Sequence, residues 1–348
     1  MSAFILVDAS NLFHRCKHAT TGDAATKAGM ALHICFNSLR QIWRKFDANH
    51  VVVALDKSSW RREVYPDYKA HRRVQEALKT KSEREDDELY FDAMKHLVEF
   101  LRKRTNVTIL ESVGCEADDF IARWIDLHPN DQHVIFSGDS DFYQLLADNV
   151  KIYDGVKQWT ITKDEVLNEK EKPAVKEKTV TEKIIGANGK VREVKKKITE
   201  AVSPPDPEYE LFKKCIRGDA SDNIMAAKPG VRENGSSKKP GIREAYNDRE
   251  GRGYDWTLFM NDEWLDHEGN IVKVQDAYRR NQMLIDLRQQ PEEIKQLLDA
   301  VILEAVQKPS KSGVGIWFLK FCEEMALVNL SKNPNEYATL LQAPYTNG

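Results

Sequence analysis

Glu116-Ala117-Asp118-Asp119 is an acidic turn at the start of a predicted helix, and Ser137-Gly138-Asp139-Ser140-Asp141 follows it about twenty residues later. The second stretch comes directly after the apolar run 133–136. So many carboxylates in one place would repel one another unless a strong positive charge held them together. A pair of divalent cations is the obvious candidate, so the two stretches together predict a metal site.

The bulk composition indicates a soluble, highly charged globular protein. The chain has 348 residues, of which 41% are hydrophobic and 31% are charged, and it is long enough for one large domain or two smaller ones. No apolar run approaches the length of a membrane span, and the N-terminus shows no secretion signal. The five cysteines lack zinc spacing. We therefore expect a cytoplasmic protein with reduced thiols and no membrane partner.

The charge is unevenly distributed along the chain, although the net charge is only −3. Residues 57–84 contain nine Lys/Arg and four acidic residues, and residues 169–200 contain ten Lys/Arg and six acidic residues. The net charge therefore hides basic surfaces beside an acidic centre, a distribution that suits nucleic-acid binding.

Apolar runs and helical periodicity predict an α/β fold with a parallel sheet. Residues 3–7 form a buried strand that ends at Asp8, residues 28–46 have helical periodicity, and residues 51–55 form a second strand that ends at Asp56. This strand–helix–strand order is a βαβ unit, which implies parallel strands. Further strands are predicted at 107–110 and 133–136, and edge strands at 150–153 and 159–161.

The acidic residues are expected to converge, because ligands of an open parallel sheet bind beyond the carboxyl ends of the strands. Asp8, Asp56 and Asp139 each follow a strand, and Glu116, Asp118 and Asp119 lie on a helix that follows the third strand. Ligands that are all oxygen favour Mg²⁺ or Mn²⁺ over zinc. Two such ions, roughly 4 Å apart, can activate water and stabilise the leaving oxygen in phosphodiester hydrolysis.

A basic, aromatic segment at 60–73 could supply the complementary charge. Arg61, Lys69 and Arg72 could neutralise a scissile phosphate, and Tyr65 or Tyr68 could stack on a base. A lone basic run is usually a solvated face, but this one follows directly from a strand that ends in a predicted metal ligand. The polar residues 73–88 predict an exposed, mobile loop or an arch of loosely held helix.

Composition divides the chain into three parts. Residues 1–166 form the predicted nuclease-like core with a basic arch at about 60–90, residues 167–202 form a basic insertion, and residues 203–348 form a helical region. Ala187-Asn188-Gly189 favours a hairpin in the insertion, although a solvated linker fits its composition equally well. The helical region is predicted to contain helices at 208–216, 274–285, 292–306 and 314–328.

The order of motifs resembles that of the flap endonuclease and 5′-nuclease family. The motifs are Asp8, Asp56, Arg61-x₇-Lys69-x₂-Arg72, Glu116-x-Asp118-Asp119, Gly138-Asp139-x-Asp141 and Gly218-Asp219-x-x-Asp222-Asn223. Within the family, the Gly/Pro/Lys-rich stretch after Asp222 and Tyr278-x-x-Asn281-x-x-Leu284-Ile285-Asp286 are most similar to the ribonuclease H branch of T-even-like bacteriophages. The resemblance covers about residues 3–330.

The resemblance implies a PIN-like parallel sheet flanked by helices, a helical arch, and a C-terminal helical domain. In that domain a helix–three-turn–helix element would span about 208–245 and a helical tail would span 255–348. Two Mg²⁺ ions, which Mn²⁺ could replace, are implied as cofactors. The first ion would be held by Asp8, Asp56, Asp118 and Asp139, with Glu116 close by. The second would be held, largely through water, by Asp119, Asp141, Asp219 and Asp222.

The resemblance also implies roles for the basic residues. The catalytic set would be Asp8, Asp56, Arg61, Lys69, Arg72, Asp118 and Asp139. The nucleic-acid-binding set would be Arg61, Arg62, Tyr68, Lys69, Arg72, Arg73, Arg217 and Lys228.

The implied activity is 5′-3′ exonuclease and structure-specific flap endonuclease. Its substrates would be duplex DNA with nicks, flaps or 5′ ends and RNA–DNA hybrids, and its task would be primer removal in phage DNA replication. The enzyme would be a monomer, and its C-terminal helices would dock a single-stranded-DNA-binding protein.

Three alternative functions fit parts of the pattern. A PIN-type endoribonuclease acting on single-stranded RNA shares the acidic core but is much shorter and has no counterpart of Asp219 and Asp222. A dehalogenase-like phosphatase would need Asp-x-Asp after its first strand, where this chain has only Asp8. A non-catalytic DNA-binding protein would not call for unpaired carboxylates, because they repel phosphate in the absence of metal.

Overall fold

A mostly parallel sheet of seven strands organises the N-terminal half of the computed structural model, which describes residues 2–185, 191–236 and 238–346. The strand order is β3-β2-β1-β4-β5-β6-β7. The first five strands pair in parallel, and β6 and β7 are antiparallel additions. The strands are β1 Ala3–Asp8, β2 His50–Ala54, β3 Thr108–Leu110, β4 Gln132–Phe136, β5 Val150–Asp154, β6 Trp159–Ile161 and β7 Val166–Leu167.

The central strands are apolar along their length because helices cover both faces of the sheet. In β2, for example, all residues from His50 to Ala54 are buried. The predicted strands are confirmed, but the prediction that 150–153 and 159–161 are edge strands is wrong. β5 and β6 each have a neighbour on both sides, and the edges are β3 and β7, because the short β7 adds a further antiparallel partner beyond β6.

The helices lie on both sides of this sheet and in the C-terminal half. Those before the insertion are α1 Ala9–His18, α2 Ala24–Lys45, α3 Arg61–Val64, α4 Ala70–Leu78, α5 Lys81–Arg104 and α6 Ala117–Leu127, with a 3₁₀ helix at Ser140–Leu145. Two strands, β8 Val175–Ile185 and β9 Val191–Ala201, follow. The remaining elements are α7 Pro207–Arg217, α8 Ile242–Asn247, α9 Tyr254–Met260, β10 Glu263–Leu265, β11 Ile271–Lys273, α10 Val274–Ile285, α11 Glu292–Val306, α12 Val314–Glu324, α13 Val328–Ser331 and α14 Asn335–Gln342.

The C-terminal region is divided between separate hydrophobic cores. Residues of α7–α10 form a core of their own, which includes Tyr209, Phe212 and Phe259. The later helices pack on the sheet domain instead, and the ring centroid of Phe318 in α12 lies 5.2 Å from that of Phe36 in α2. The helical region 203–348 therefore contributes to more than one core, because the apolar faces of α11–α14 cover the two sides of the sheet.

The arch is helical, and its helix α4 is almost entirely exposed. None of the side chains in α4 is buried, and α5 begins with a capping box between Thr80 and Glu83. The helix predicted to return near residue 89 therefore starts eight residues earlier, at Lys81. Local capping accounts for this, because a paired Thr and Glu satisfy the free backbone N–H groups of a first helical turn.

The basic insertion forms an antiparallel ribbon of two strands. β8 and β9 pair from Val175↔Ala201 to Ile185↔Val191 and make a sheet separate from the central one. This pairing agrees with the hairpin alternative and not with the linker alternative. The predicted turn at Ala187-Asn188-Gly189 lies outside the described residues.

The five cysteines are buried free thiols. Cys16 and Cys35 lie in facing helices with their sulfur atoms 3.5 Å apart. Among the described residues, no helix is both long enough and apolar enough to cross a membrane.

Two histidines in the sheet should make the fold sensitive to acid. Burial lowers the pKa of both His50 and His133 to about 4, although each ring also bonds a backbone carbonyl that opposes the shift. The unfolded chain binds these protons near pH 6.5, so the stability that both neutral rings provide is lost as the pH falls from about 6.5 to about 4. At 1.36 kcal/mol per pKa unit the loss is about 3 kcal/mol for each histidine.

Urea unfolding between pH 7.5 and pH 4 would measure this loss. His133→Gln keeps an N–H donor and cannot titrate, so its free energy of unfolding should fall by about 3 kcal/mol less than that of the wild type over this range. If the free energy of unfolding fell by the same amount in both proteins between pH 7.5 and pH 4, His133 would not contribute to the loss of stability in acid.

Candidate metal centre

The acidic residues meet where the strand order of the sheet reverses. β1 lies between β2 and β4, and the crevice beyond the carboxyl ends of β1 and β4 is the topological switch point of this sheet. Asp8 ends β1, Asp139 follows β4 and Asp56 follows β2. These three carboxylates line one cleft together with Asp118, which lies in the first turn of α6. The structure therefore brings together the four predicted ligands of the first ion.

Local hydrogen bonds set the orientation of these carboxylates. Asp8 caps α1 by accepting from the Asn11 backbone N–H at 3.0 Å, and its other oxygen accepts from the Ser137 hydroxyl at 3.0 Å. Asp56 accepts from the Ala117 N–H at 2.6 Å. Asp139 caps the 3₁₀ helix by accepting from the backbone N–H two residues later at 3.0 Å. Each carboxylate thus keeps oxygen lone pairs that can face the cleft.

The electrostatics of this cleft disfavour four ionised carboxylates in the absence of a cation. Burial raises the pKa of Asp8 to about 7, and the nearby charges of Asp56 and Asp139 add to this shift. Burial likewise raises the pKa of Asp118 well above its usual value, more than the nearby Arg61 charge lowers it. A divalent cation would reverse both shifts, because it stabilises the ionised forms directly.

Asp119 does not join the predicted second set of ligands. It lies instead beside Glu116 and Asp118, with ligand atoms of all three within 4.8 Å of one another. Its side chain is fully buried, and both of its oxygens accept hydrogen bonds from Arg61, at 2.9 and 3.1 Å. In this structure Asp119 therefore lies apart from the group of Asp141, Asp219 and Asp222, and Arg61 holds both of its oxygens.

Arg61 is a buried structural cation in this arrangement. Only 1% of the residue is exposed. The guanidinium pairs with Glu116 at 3.0 Å and with Asp119, and its Nε donates to the Leu284 carbonyl at 2.8 Å. Each guanidinium nitrogen already donates to a protein oxygen, so the predicted contact with the scissile phosphate would require Arg61 to exchange one of these partners.

Tyr68 is likewise buried, with 1% of the residue exposed. Its hydroxyl lies 2.9 Å from carboxylate oxygens of both Glu116 and Asp222. The ring is not available for stacking on a base, and the hydroxyl instead connects acidic residues of the sheet domain and the C-terminal half.

Lys69 and Arg72 both line the cleft. The Lys69 ammonium lies 2.5 Å from Glu116 and 3.6 Å from Asp222, and Arg72 donates to Asp222 at 3.0 Å. Burial alone would lower the pKa of Lys69, but Glu116 and Asp222 outweigh it and raise that pKa. Burial would similarly raise the pKa of Glu116, but Lys69 and Arg61 lower it to about 2. These side chains are therefore charged together in the cleft.

A second carboxylate group contains Asp141, Asp219 and Asp222, whose ligand atoms lie within 4.8 Å of one another. Lys214 forms ion pairs with Asp141 and, at 2.7 Å, with Asp219. Burial would lower the pKa of Lys214, but these two carboxylates raise it. Sequence reasoning missed this lysine, although its place in the last turn of α7, five residues before Asp219, was a usable signal.

A tight turn after α7 places Asp219 and Asp222. The Asp219 N–H donates to the Ile224 carbonyl at 2.9 Å, and the Ile224 N–H donates to the Asp219 carbonyl at 2.7 Å. Gly218 has a φ of +71°, and a Cβ at this position would lie 2.3 Å from the Ile224 carbonyl oxygen. Only glycine fits here. The turn is attached to the arch, because the Lys69 N–H donates to the Asp222 carbonyl at 2.8 Å.

The other predicted contacts with nucleic acid are spread over the surface. Arg62 and Arg73 are exposed on α3 and α4. Arg217 is half exposed and pairs with Glu233 at 2.8 Å. Lys228 pairs with Asp262 at 2.9 Å and lies over the Phe259 ring, so it is largely engaged within the C-terminal core.

The donor chemistry fits divalent cations that prefer oxygen. The candidate ligands in both groups are carboxylates, which suit hard divalent cations. Asp8, Asp56, Asp118 and Asp139 would hold one ion. Asp141, Asp219 and Asp222 would hold another once Lys214 gave up its ion pairs.

Comparison with known proteins identifies the family. Residues 3–183, just over half of the chain, match the family described as 5′-3′ exonuclease, N-terminal resolvase-like domain. The chain belongs to this family, as the order of its acidic motifs predicted.

Curated relatives agree with this assignment. The chain is 28% identical over 161 residues to flap endonuclease Xni of Psychromonas ingrahamii. It is 31% identical over 165 residues to flap endonuclease Xni of Yersinia pseudotuberculosis. Each match covers 44% of this chain and 57% of the relative, so the chain spans little more than half the length of these proteins.

Solved structures share the fold. A bacteriophage T5 5′-exonuclease with bound zinc superposes with a TM-score of 0.57 at 21% identity, covering 87% of this chain and 99% of its own. A T5 flap endonuclease in a pseudo-enzyme–product complex with DNA and metal ions superposes with a TM-score of 0.52 at 19% identity, covering 97% and 99%. The predicted α/β fold, a PIN-like sheet with flanking helices, is confirmed.

Proposed function

We propose that this protein is a metal-dependent 5′-3′ exonuclease and flap endonuclease that hydrolyses phosphodiester bonds. One observation carries the proposal: carboxylates from several separate segments and two cations from the arch line the same cleft at the switch point of the sheet. The relatives named flap endonuclease and the T5 structures with DNA and metal ions support the same activity for this chain.

Two Mg²⁺ ions, replaceable by Mn²⁺, would supply the activation of water and the stabilisation of the leaving oxygen. The side chains of the protein orient the site and supply its acidic and basic groups. Lys69 and Arg72 line the same cleft as the carboxylates and can bind the non-bridging oxygens of the phosphate, once they exchange their present acidic partners for it. Asp8, Asp56, Asp118 and Asp139 each accept a hydrogen bond from a backbone N–H that orients the carboxylate, so little reorganisation is needed when metal and substrate bind.

The proposed substrates are 5′ flaps, nicks and 5′ ends in duplex DNA and RNA–DNA hybrids. α4 and α5 form the arch beside the cleft, and α4 offers an exposed basic surface to a strand that passes there. We further propose primer removal during phage DNA replication, a monomeric cytoplasmic enzyme, and docking of a single-stranded-DNA-binding protein on the C-terminal helices. The resemblance to the phage ribonuclease H branch is what supports these finer assignments.

The alternative of a PIN-type endoribonuclease is less well supported. That class has no counterpart of Asp219 and Asp222, whereas here both residues lie against Asp141, and Asp222 is joined to the arch through Tyr68 and Lys69. The second carboxylate group would have no purpose in the shorter enzyme.

Purified protein should release short 5′ products from a 5′-labelled flap and from an RNA–DNA hybrid when Mg²⁺ or Mn²⁺ is added. Because the predicted carboxylate ligands bind divalent cations, EDTA should stop the reaction by removing these cations. Denaturing gels on flap, nicked, hybrid and single-stranded RNA substrates would measure this. Intact flap and hybrid in the presence of Mg²⁺ would contradict the proposal, and cleavage of single-stranded RNA alone would favour the endoribonuclease.

A further inference from the structure

The β8–β9 ribbon is the largest feature that the proposed catalytic site does not use. It leaves the sheet at β7, where the Ala174 N–H donates to the Val166 carbonyl at 2.7 Å and the Val202 N–H donates to the Ala174 carbonyl at 2.9 Å. Ala174 is fully buried and Val202 packs on the same core, so both ends of the ribbon are anchored. A ribbon of two 11-residue strands is about 35 Å long at 3.3 Å per residue.

Both faces of the ribbon are open to solvent wherever its side chains are described. In 175–181 and 195–201 every side chain except the half-buried Val180 is exposed. An isolated two-stranded sheet is marginally stable in water, and this one has little apolar surface to bury. A binding partner that covers it would account for its ordered pairing.

The charge of the ribbon indicates what that partner is. Residues 175–201 contain eight Lys/Arg and four Glu. Lys176 and Lys178 lie on one face and Lys195 and Lys197 lie on the other, because partners in the register share a face. Two of the glutamates form ion pairs across the ribbon, Lys197–Glu177 at 2.9 Å and Lys178–Glu200 at 3.4 Å. The excess charge is therefore positive and extended along the ribbon, which complements a polyanion.

Duplex nucleic acid fits this surface better than a single strand. Residues 175–201 contain no Phe, Tyr, Trp or His, whereas binding of single strands relies on aromatic side chains that stack with the bases. A basic ribbon rich in lysine and threonine can contact phosphates, and a two-stranded ribbon has the width that the major groove of B-DNA admits. Its length corresponds to about ten base pairs at 3.4 Å per pair.

We propose that the β8–β9 ribbon is an accessory arm that binds the backbone of duplex nucleic acid outside the catalytic cleft. The proposal rests on the proposed nuclease function, because it assigns the arm to the duplex part of the same substrate. The arm would increase affinity for substrates with a long duplex region and would not change the chemical step.

The test compares the full chain with three variants. In the first, Asn-Gly replaces residues 175–201, which the adjacent backbones of Ala174 and Val202 allow. The second combines Lys195→Glu, Lys196→Glu and Lys197→Glu. The control combines Lys308→Glu, Lys320→Glu and Lys332→Glu, three exposed lysines in or just after the C-terminal helices, with the same change in charge.

Binding is measured by fluorescence anisotropy in Ca²⁺ from 50 to 300 mM salt, using a 30-base-pair duplex, a 10-base-pair duplex and single-stranded DNA. The ribbon triple variant and the excision variant should bind the long duplex at least about tenfold more weakly at the lowest salt, and the triple variant should reduce the slope of log K against log salt by about 3. The control should change neither the affinity nor the slope to this extent. Saturated cleavage of a short flap in Mg²⁺ should be unchanged.

Unchanged affinity and salt slope for the long duplex would overturn the proposal, as would an equal loss on single-stranded DNA. A loss of the same size in the control variant would overturn it too, because net charge alone would then explain the result. Absence of cleavage by the wild-type protein would contradict the proposed function and not the arm, since binding is measured without turnover.

Discussion

Asp139→Asn should slow cleavage of a 5′ flap by about a thousandfold or more while leaving substrate binding nearly intact. The metal site would lose an anionic oxygen ligand. The bound metal stabilises the charge of the transition state by several kcal/mol, and each 1.36 kcal/mol lost slows the reaction tenfold. The fold should not change, because asparagine has nearly the same shape and can still cap the 3₁₀ helix by accepting from the Asp141 N–H. Single-turnover kinetics and binding in Ca²⁺ would measure the two effects separately.

Asp148→Asn is the matched control for this substitution. Asp148 is exposed in the loop between the 3₁₀ helix and β5, where it pairs with Lys163 at the surface. The same change of chemistry there should leave the cleavage rate within about twofold, because exposed substitutions and surface ion pairs contribute little. A rate for Asp139→Asn within about tenfold of the wild type would contradict the proposed ligand. Loss of binding together with cleavage would indicate a structural role for the carboxylate.

Arg61→Met should destabilise the fold by about 3–5 kcal/mol, the range measured when one partner of a buried ion pair is removed. Methionine fills much of the volume of the side chain but leaves Asp119 and Glu116 without their buried cation. Asp119 is fully buried, so water cannot solvate the charge that remains. Urea unfolding at pH 7.5 would show a lower midpoint, with Arg62→Met as the control. Arg62 is exposed on the same short helix, and its substitution should change stability by less than about 0.5 kcal/mol.

A double variant separates this structural role from contact with phosphate. Adding Asp119→Asn to Arg61→Met should recover part of the lost stability, because the amide carries no charge that needs the guanidinium. Folded Arg61→Met protein should bind duplex substrate as the wild type does. If the single variant were stable but bound substrate weakly, Arg61 would be a phosphate contact after all.

The location of the site was predictable from the sequence for a definite reason. A strand that is buried on both faces must be apolar throughout. Each central strand and the polar residue that ends it can therefore be recognised in the amino-acid sequence. Parallel strands bring their carboxyl ends to one edge, and this rule alone places Asp8, Asp56 and Asp139 together. The two C-terminal helices at 274–285 and 292–306 were also predictable to the residue, because their apolar faces have clear helical periodicity.

The partners of individual charges were not predictable, because they depend on packing across segments that are distant in sequence. Arg61 and Arg62 are neighbours with identical chemistry, yet Arg61 is buried against Asp119 and Arg62 faces solvent. The side on which each points follows from the way α3 packs between α6 and the Leu284 carbonyl. Lys214 escaped notice for a similar reason: its partner Asp141 is 73 residues away in sequence.

The sequence by itself determined the family, the α/β sheet and the set of carboxylates that meet at its edge, because apolar strands and the acids after them follow local periodicity. Only the tertiary structure decided how Glu116, Asp118 and Asp119 divide their roles. Asp118 lines the cleft with Asp139, whereas both oxygens of Asp119 accept hydrogen bonds from a buried guanidinium. The difference between these neighbours arises from the orientation of one helical turn against the rest of the fold, a property that appears only when distant segments pack together.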